Sequence, residues 1–463
     1  MKIFILSVLS ILFLISCDSQ QENPTAKNSS PVKKEVQTTK TPEPAHGWKG
    51  NGPNKNFYTV AENIDRDGDF YYYLNMENVF VETKEDISTL FSNEESAQEM
   101  ENFFSFYESA IEVFGIDGIR DAGISSMQKE DLAVTKIFLH VPGENKTILD
   151  ITGESPRLRD SLKYAPPKTG AYASFDFDPE RALKLTRETA RKAGGEKALG
   201  KLNDKLRELG SEINADPEKL IRSLGNEFVF MMRLKEKSGM QQNTGDQQTS
   251  PEWVPELAAM ISTNEAALYE TIKNSVEKQH GELEEIRENG VKKIILPSSL
   301  ENPLPGKTSL AFDGKYVFYS SSSDFLDLII STSRQDENLS QSEEFRKMTG
   351  DFPEKTNSLR YISGNLRKEI AGIIIRNLSE KQKYSIDPEA FARIFLPFRG
   401  SSATVRINKP SGVQIISRHT IEKGEEGFSP ALRAPAMILT ATGALPVVTF
   451  LIFGQHYDYF TAI

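Results

Sequence analysis

The sequence predicts an α+β protein: two related modules of mainly antiparallel sheet with packed helices, preceded by a disordered N-terminal tether and followed by an apolar C-terminal tail. Three observations favour this fold class. Short stretches rich in β-branched and aromatic residues alternate with stretches whose apolar residues recur at helical spacing. A strand–helix–helix–strand pattern occurs twice along the chain. Both ends of the 463-residue chain also differ in composition from its middle.

The N-terminal part of the chain divides into a signal and a linker. Lys2 precedes an apolar run from Ile3 to Ile15, which is short for a membrane span and typical of a secretory signal. Residues 1–16 are therefore predicted to be a lipoprotein signal peptide. Residues 17–55 are polar and rich in Pro, Thr, Asn and Lys, which predicts a lipid anchor followed by a disordered linker.

The first α+β module is predicted over residues 56–235. Residues 95–115 carry apolar side chains at helical spacing, and residues 134–152 resemble two strands around a Pro-Gly turn. Asp178 and Pro179 predict a helix start, because Asp caps the first turn and Pro is tolerated at the first helical position. That helix is expected to end at Gly194.

A loop is predicted at residues 236–254, and the second α+β module at residues 255–425. Asp313-Gly314 lies between two alternating apolar stretches, which predicts a two-residue hairpin turn. The serines that follow this hairpin, together with Asp324, are expected to cap a helix that contains Phe325 and Leu328.

The two modules contain an internal repeat. The first copy consists of residues 171–177, a helix, and a helix capped by Asp216. The second copy consists of residues 358–364, a helix, and a helix capped by Asp387. The first copy carries one extra helix, from about Glu196. A true repeat implies two related modules rather than one large sheet. The alternative is that Asp-Pro-Glu, a common helix start, recurs by chance.

Composition and motifs exclude several classes of function. A net charge of −11 argues against a nucleic-acid partner, and one cysteine excludes an internal disulfide and a thiolate metal site. The segment from Gly195 to Lys201 is close to a nucleotide-binding P-loop, but Leu202 stands where Ser or Thr is needed. The sequence therefore predicts no cofactor, metal, nucleotide or catalytic residue. His140 and His419 end predicted strands and are interpreted as satisfied structural residues.

Cys17 is the one functional residue that the sequence assigns. Leu14-Ile15-Ser16-Cys17 resembles the lipobox of bacterial lipoproteins. The resemblance implies a diacylglyceryl thioether on Cys17, cleavage before it, and acylation of the new amine, with palmitate-type chains. It also implies export, membrane lipid as a partner, and a location on the periplasmic or outer face of a bacterial membrane. The alternative is an ordinary signal peptide with an incidental cysteine.

The C-terminal tail at residues 430–463 is apolar. Residues 434–454 contain no charge and at helical rise would span about 31 Å, close to the thickness of a bilayer core. Pro435 and Pro446 weaken such a helix. Two interpretations remain open: a transmembrane helix, or a segment that docks on the folded body.

Residues 257–370 resemble a family of exported bacterial proteins known only as a domain of unknown function. The matching motifs are a strand ending in a small polar residue, a helix, a hairpin of the type L-A-x-x-D-G-x-Y-V, a Ser-capped helix and a further strand. The resemblance implies export and an α+β structure, and it carries no known activity.

The sequence thus predicts a membrane-anchored bacterial envelope lipoprotein with a non-catalytic binding or scaffolding role and an envelope protein as a candidate partner. One alternative is an envelope hydrolase whose site is assembled only by the fold. Another is a membrane-assembly partner that uses the C-terminal tail.

Overall fold

A computed structural model describes residues 55–76, 108–109, 111–143, 150–236, 253–297, 307–380 and 400–421. The signal peptide, the linker up to residue 54, most of the loop at 236–254 and the apolar tail lie outside these ranges. The described residues from Thr59 onward belong to one compact unit.

The described chain contains both strands and helices, and several of the strands follow one another directly. The strands are β1 (Phe70–Asn75), β2 (Asp121–Lys129), β3 (Leu132–His140), β4 (Ala171–Asp176), β5 (Leu224–Glu236), β6 (Trp253–Thr263), β7 (Glu285–Glu288), β8 (Val291–Ile295), β9 (Ser309–Phe312), β10 (Tyr316–Ser320), β11 (Ser358–Ile362), β12 (Ser402–Lys409) and β13 (Gly412–Thr420). The helices are α1 (Lys55–Ala61), α2 (Pro179–Ile213), α3 (Pro217–Ser223), α4 (Ala267–His280), α5 (Ser323–Thr332), α6 (Glu343–Thr349) and α7 (Gly364–Glu380). Short 3-10 helices lie at Ile116–Gly118, Asp160–Tyr164 and Leu339–Gln341.

All the strands join one 13-stranded sheet in the order β1-β2-β3-β13-β12-β11-β4-β5-β6-β10-β9-β8-β7. Every neighbouring pair is antiparallel. The predicted α+β class with mainly antiparallel sheet is therefore confirmed.

The strand order is symmetric about the central pair β11 and β4. Outward from that pair run β12 and β13 on one side and β5 and β6 on the other, so the two copies of the predicted repeat occupy equivalent places. The strands β1–β3 flank β13, whereas β7–β10 flank β6. Because β13 belongs to the second predicted module and β1–β3 to the first, strands of both predicted modules share one sheet. The expectation of two modules rather than one large sheet is wrong for the described strands.

The sheet has helices on both faces. Register partners share a face and successive residues alternate between faces, so we call the face that carries Tyr172 the front face and the one that carries Ala173 the back face. On the front face, Phe325 of α5 and Phe345 of α6 belong to the main buried core. On the back face, Leu366 of α7 packs with Ala171 and Met232, and Tyr269 of α4 lies 6.3 Å from Phe312 between ring centroids.

Helix starts agree with the capping residues in the sequence. The Asp178 side chain accepts a hydrogen bond from the Arg181 backbone N–H at the start of α2, and helical dihedrals are interrupted at Gly194 and Gly195. Asp216 caps α3 in the same way. The second copy's helix at Asp387 lies outside the described residues.

Two local predictions need correction. The hairpin expected over residues 134–152 is absent from the described residues, because β3 ends at His140 and a helical turn occupies residues 150–151; residues 144–149 lie outside the described ranges. β3 pairs instead with the preceding β2 through a tight turn at Glu130, which has φ 54°. In α5 the capping oxygen belongs to Ser322, whereas Asp324 lies in the first turn.

Candidate functional site

The lipid attachment residue predicted from the sequence, Cys17, lies outside the described residues, as does the apolar tail at 430–463. Within the described ranges, no helix is both long and apolar enough to cross a bilayer. The anchor therefore stays a prediction. The surfaces considered below belong to the sheet body.

Two acidic side chains face each other at the centre of the front face. Asp176 of β4 and Glu227 of β5 are register partners, and their side chains are 2% and 1% exposed. Neighbouring buried carboxylates repel each other and lose their hydration, so each requires cationic or hydrogen-bonding partners.

Two arginines neutralise these carboxylates. Arg159 donates from Nη1 to Asp176 Oδ1 and from Nη2 to Asp176 Oδ2, both at 2.8 Å. Arg157 donates from Nε to the same Oδ1 at 2.8 Å, and its Nη1 lies 3.6 Å from Glu227 Oε2. The planar guanidinium of Arg159 matches the carboxylate geometry, which gives the pair directional as well as electrostatic strength.

Hydroxyl groups complete the surroundings of Glu227. Ser161 and Ser174 donate to Oε1 at 2.6 and 2.8 Å, and Tyr316 donates to Oε2 at 2.8 Å. Burial and the charge of Glu227 raise the pKa of Tyr316 well above its usual value, because an ionised phenol would place a second negative charge beside the carboxylate. Tyr316 therefore remains a hydrogen-bond donor near neutral pH.

We call this set of side chains the central polar network: Arg157, Arg159, Ser161, Ser174, Asp176, Glu227 and Tyr316. Each of its four carboxylate oxygens holds at least one hydrogen bond, and its two acids meet two arginines. Arg159 Nε is buried without a hydrogen-bond partner among the described residues, but the hydrogen bonds to the two carboxylates join β4, β5, β10 and the 3-10 helix at Asp160–Tyr164. Its arrangement suits structure more than proton transfer.

A second buried acidic residue meets a histidine near the first edge of the sheet. Asp121 and His140 are register partners, and His140 Nδ1 lies 3.2 Å from Asp121 Oδ2. Tyr73 donates to the other carboxylate oxygen. An Asp–His pair is part of many hydrolytic triads, but these two side chains are only 1% and 7% exposed. His140 ends β3 as predicted, and its pairing links β2 to β3.

A row of polar side chains crosses the back face. Consecutive register partners place four hydroxyl side chains and then an arginine side by side on five adjacent strands. These residues, which we call the hydroxyl–arginine row, are Ser126, Thr135, Ser417, Thr404 and Arg360. Thr135 donates to Ser126 at 3.2 Å, and the Thr404 and Ser417 hydroxyls lie 2.8 Å apart.

A second arginine lies diagonally across from the end of this row. Arg406 of β12 pairs in register with Ser358, two residues before Arg360 on β11. Its Nη2 donates to the Thr152 carbonyl at 2.6 Å. Its buried Nε has no hydrogen-bond partner among the described residues.

The two back-face arginines are electrostatically unfavourable as they stand. Burial lowers the pKa of Arg406 to about 10; the negative charge of Asp176 opposes this shift, and the positive charges of Arg360 and Arg159 add to it. Burial also lowers the pKa of Arg360. Across the described part of the chain, no carboxylate forms an ion pair with either guanidinium, although the charge of Asp176 acts on Arg406 from a greater distance. Arg159 differs, because it is hydrogen-bonded directly to Asp176.

Aromatic side chains adjoin Arg360 on the back face. The Phe175 ring stacks between Phe228 and Phe230, with centroid distances of 5.9 and 6.1 Å. Phe230 is 37% exposed. Its register neighbours Ala173 and Ala259 are small, so the surface beside Arg360 is apolar and has little side-chain bulk.

An open groove of about 760 Å³ lies between α2 and α3. Its polar lining mixes both charges, and Arg187 forms an ion pair with Glu218 across it. Paired charges on an open surface are typical of a solvated helix face. The envelope hydrolase considered from the sequence would need a deep site, and this groove does not supply one.

Comparisons with known proteins add no assignment. No protein-family model matches the chain, and neither a curated protein nor a solved structure is significantly similar to it. The resemblance of residues 257–370 to an exported family therefore remains a prediction from the motifs quoted above.

The sequence alone did not point to the back-face arginines. Arg360 and Arg406 are far apart in the chain, and the hydroxyl side chains of the row come from four different strands. The one available signal was a charged residue inside the otherwise apolar strand SLRYI. Only the strand register brings these residues together.

Proposed function

We propose that this chain is a membrane-anchored bacterial envelope lipoprotein whose body acts by binding or scaffolding rather than by catalysis. The observation that carries the proposal is the position of Cys17, the sole cysteine, directly after an apolar signal and a small residue. Lipidation needs a nucleophilic sulfur at that place, which explains a single cysteine there.

The properties of the body are consistent with a binding role. Asp176 and Glu227, its central buried acids, already hold arginines and hydroxyls. The back face, in contrast, presents Arg360 and Phe230 without a complete set of partners among the described residues. Surfaces that combine aromatic and arginine side chains are enriched at recognition sites.

The predicted linker would give the body access to partners. The polar composition of residues 17–55 predicts a flexible chain, for which a mean span of about 35 Å is expected. Two or more acyl chains give stable anchoring where a single chain would be marginal.

Labelling with an alkyne analogue of palmitate in a bacterial host tests the anchor. The full chain is expected to incorporate the label and to partition into the detergent phase, whereas Cys17→Ala should do neither. Ser16→Ala keeps a small residue before the cysteine and serves as the matched control, with labelling retained. A Cys17→Ala protein that still labels and still partitions would overturn the proposal.

A further inference from the structure

We propose that the back face of the sheet carries an oxyanion-binding site formed by Arg360 and Arg406, and that its ligand bears a phosphate-type group. The inference deepens the proposed binding role by giving it a chemical class. It rests on that role but is independent of the anchor at Cys17.

The first argument is charge. A buried or half-buried guanidinium is costly unless an anion accompanies it. This protein supplies Asp176 to Arg159 and Glu256 to Arg233, at 2.8 and 2.5 Å. Arg360 and Arg406, diagonal neighbours on adjacent strands, have no ion-pair contact with a carboxylate among the described residues, although the more distant charge of Asp176 partly favours Arg406. An external anion placed between them would relieve both their burial and their mutual repulsion.

The second argument is hydrogen-bonding capacity. Nε of Arg406 is buried without a described partner, while Nη2 is held by the Thr152 carbonyl. That contact fixes the orientation of the guanidinium and leaves a donor unused. The paired N–H groups of a guanidinium match the spacing of two phosphate oxygens. A buried donor without a partner also costs free energy, which a bound anion would recover. Thr404, the register partner of Arg360, and Ser358, the register partner of Arg406, place hydroxyls beside the two charges.

The third argument is the shape of the surroundings. Ala173 is the register partner of Arg360 on β4, so the position next to the guanidinium carries only a methyl group. Beyond it lies the half-exposed ring of Phe230. A phosphate carries a charge of roughly −1.5 to −2 near neutral pH, which balances two arginines at once. The remainder of a ligand that enters beside Ala173 would meet an aromatic surface.

The test uses the full-length lipidated protein in detergent micelles, titrated calorimetrically with inorganic phosphate and, separately, with phenyl phosphate at constant ionic strength. We expect saturable binding of both probes at one site per chain. Arg360→Gln and Arg406→Gln should each weaken both affinities at least tenfold. Arg418→Gln is the matched control, because it removes the same charge from β13 on the front face, where Arg418 pairs with Asp351; its affinities should stay within twofold of wild type.

Circular dichroism on each variant separates loss of binding from loss of fold. For folded variants, either an absence of saturable binding by the wild type or binding that Arg360→Gln leaves unchanged would overturn the site. If Arg406→Gln fails to fold, Arg360→Gln decides alone. Palmitate labelling on the same preparations distinguishes the two proposals. A chain that is labelled but does not bind phosphate would contradict the oxyanion site only. A chain that binds phosphate but is not labelled would contradict the lipid anchor only.

Discussion

Replacing Asp176 by Asn tests the role of the central polar network most severely. Asn has nearly the same shape as Asp, but it removes the negative charge and turns one acceptor into a donor that faces Arg159. The Arg159 side chain is 3% exposed, so water cannot compensate for the lost partner. Arg157 is 42% exposed and would rehydrate, so Arg159 dominates the cost.

The expected magnitude follows from breaking a buried ion pair on one side. Such changes cost about 3–5 kcal/mol, a large part of the roughly 5–15 kcal/mol that stabilises a typical domain. We therefore expect Asp176→Asn to lower the free energy of unfolding by about 3 kcal/mol or more. Urea titration followed by far-UV circular dichroism measures this difference.

Asp351→Asn is the matched control for that experiment. It makes the same chemical change at a side chain that is 83% exposed and pairs with Arg418 on the surface. Because exposed ion pairs contribute little, we expect the free energy of unfolding to change far less than in Asp176→Asn. If Asp176→Asn changed the stability as little as Asp351→Asn does, the assignment of the network as the main polar support of the central strands would be wrong.

Three further changes probe other parts of the fold. Arg360→Met, measured by urea unfolding without phosphate, should leave stability unchanged or raise it, because it removes a charge without a described partner. Burial raises the pKa of Glu285, but hydrogen bonds from Arg287 and Lys273 outweigh it and hold the pKa below 4.5. The stabilisation from Glu285 is therefore complete above the pKa of the unfolded state and is lost as the pH falls through the lower folded pKa. Glu285→Gln should flatten this decrease in unfolding free energy as the pH falls below the ordinary glutamate value. Gly412→Ala should lower the melting temperature, because φ is +150° and the new Cβ would lie 2.0 Å from the Leu139 carbonyl oxygen.

For each of these three substitutions, one result would contradict the expected effect. A loss of about 3 kcal/mol in Arg360→Met would show that the guanidinium has a strong partner in the native chain. An unchanged acid profile in Glu285→Gln would show that its ion pairs do not act on stability. Gly290→Ala also has positive φ, at +81°, but meets nothing within 4 Å. A melting temperature for Gly412→Ala equal to that of Gly290→Ala would contradict the steric explanation.

The sequence predicts helix starts and turns correctly where a few neighbouring residues determine them. Asp178 and Asp216 predicted helix starts, and both side chains accept the expected backbone hydrogen bonds. Asp313-Gly314 predicted a hairpin, and Asp313 accepts from the Tyr316 backbone N–H at 2.7 Å across that turn. Capping and tight turns depend on short-range chemistry, so a single sequence contains the necessary information.

Strand pairing could not be read in the same way. The repeat is visible in the sequence, but it predicts two related modules rather than one large sheet. In the structure β3 pairs with β13 and β4 pairs with β11, across long sequence separations. No local signal encodes these partners. The hydroxyl–arginine row depends on the pairing of β3 with β13. The pair of Arg360 with Arg406 depends on the register of β11 with β12, and the facing of Asp176 and Glu227 on that of β4 with β5. None of these registers could be anticipated from local sequence.

The intact mass of the protein extracted from bacterial membranes tests the proposed lipoprotein identity most directly. We predict a chain that begins at Cys17 and carries a thioether-linked diacylglyceryl group together with an acyl chain on its amine. A chain that retains Met1, or one cleaved near this position without any lipid mass, would contradict it.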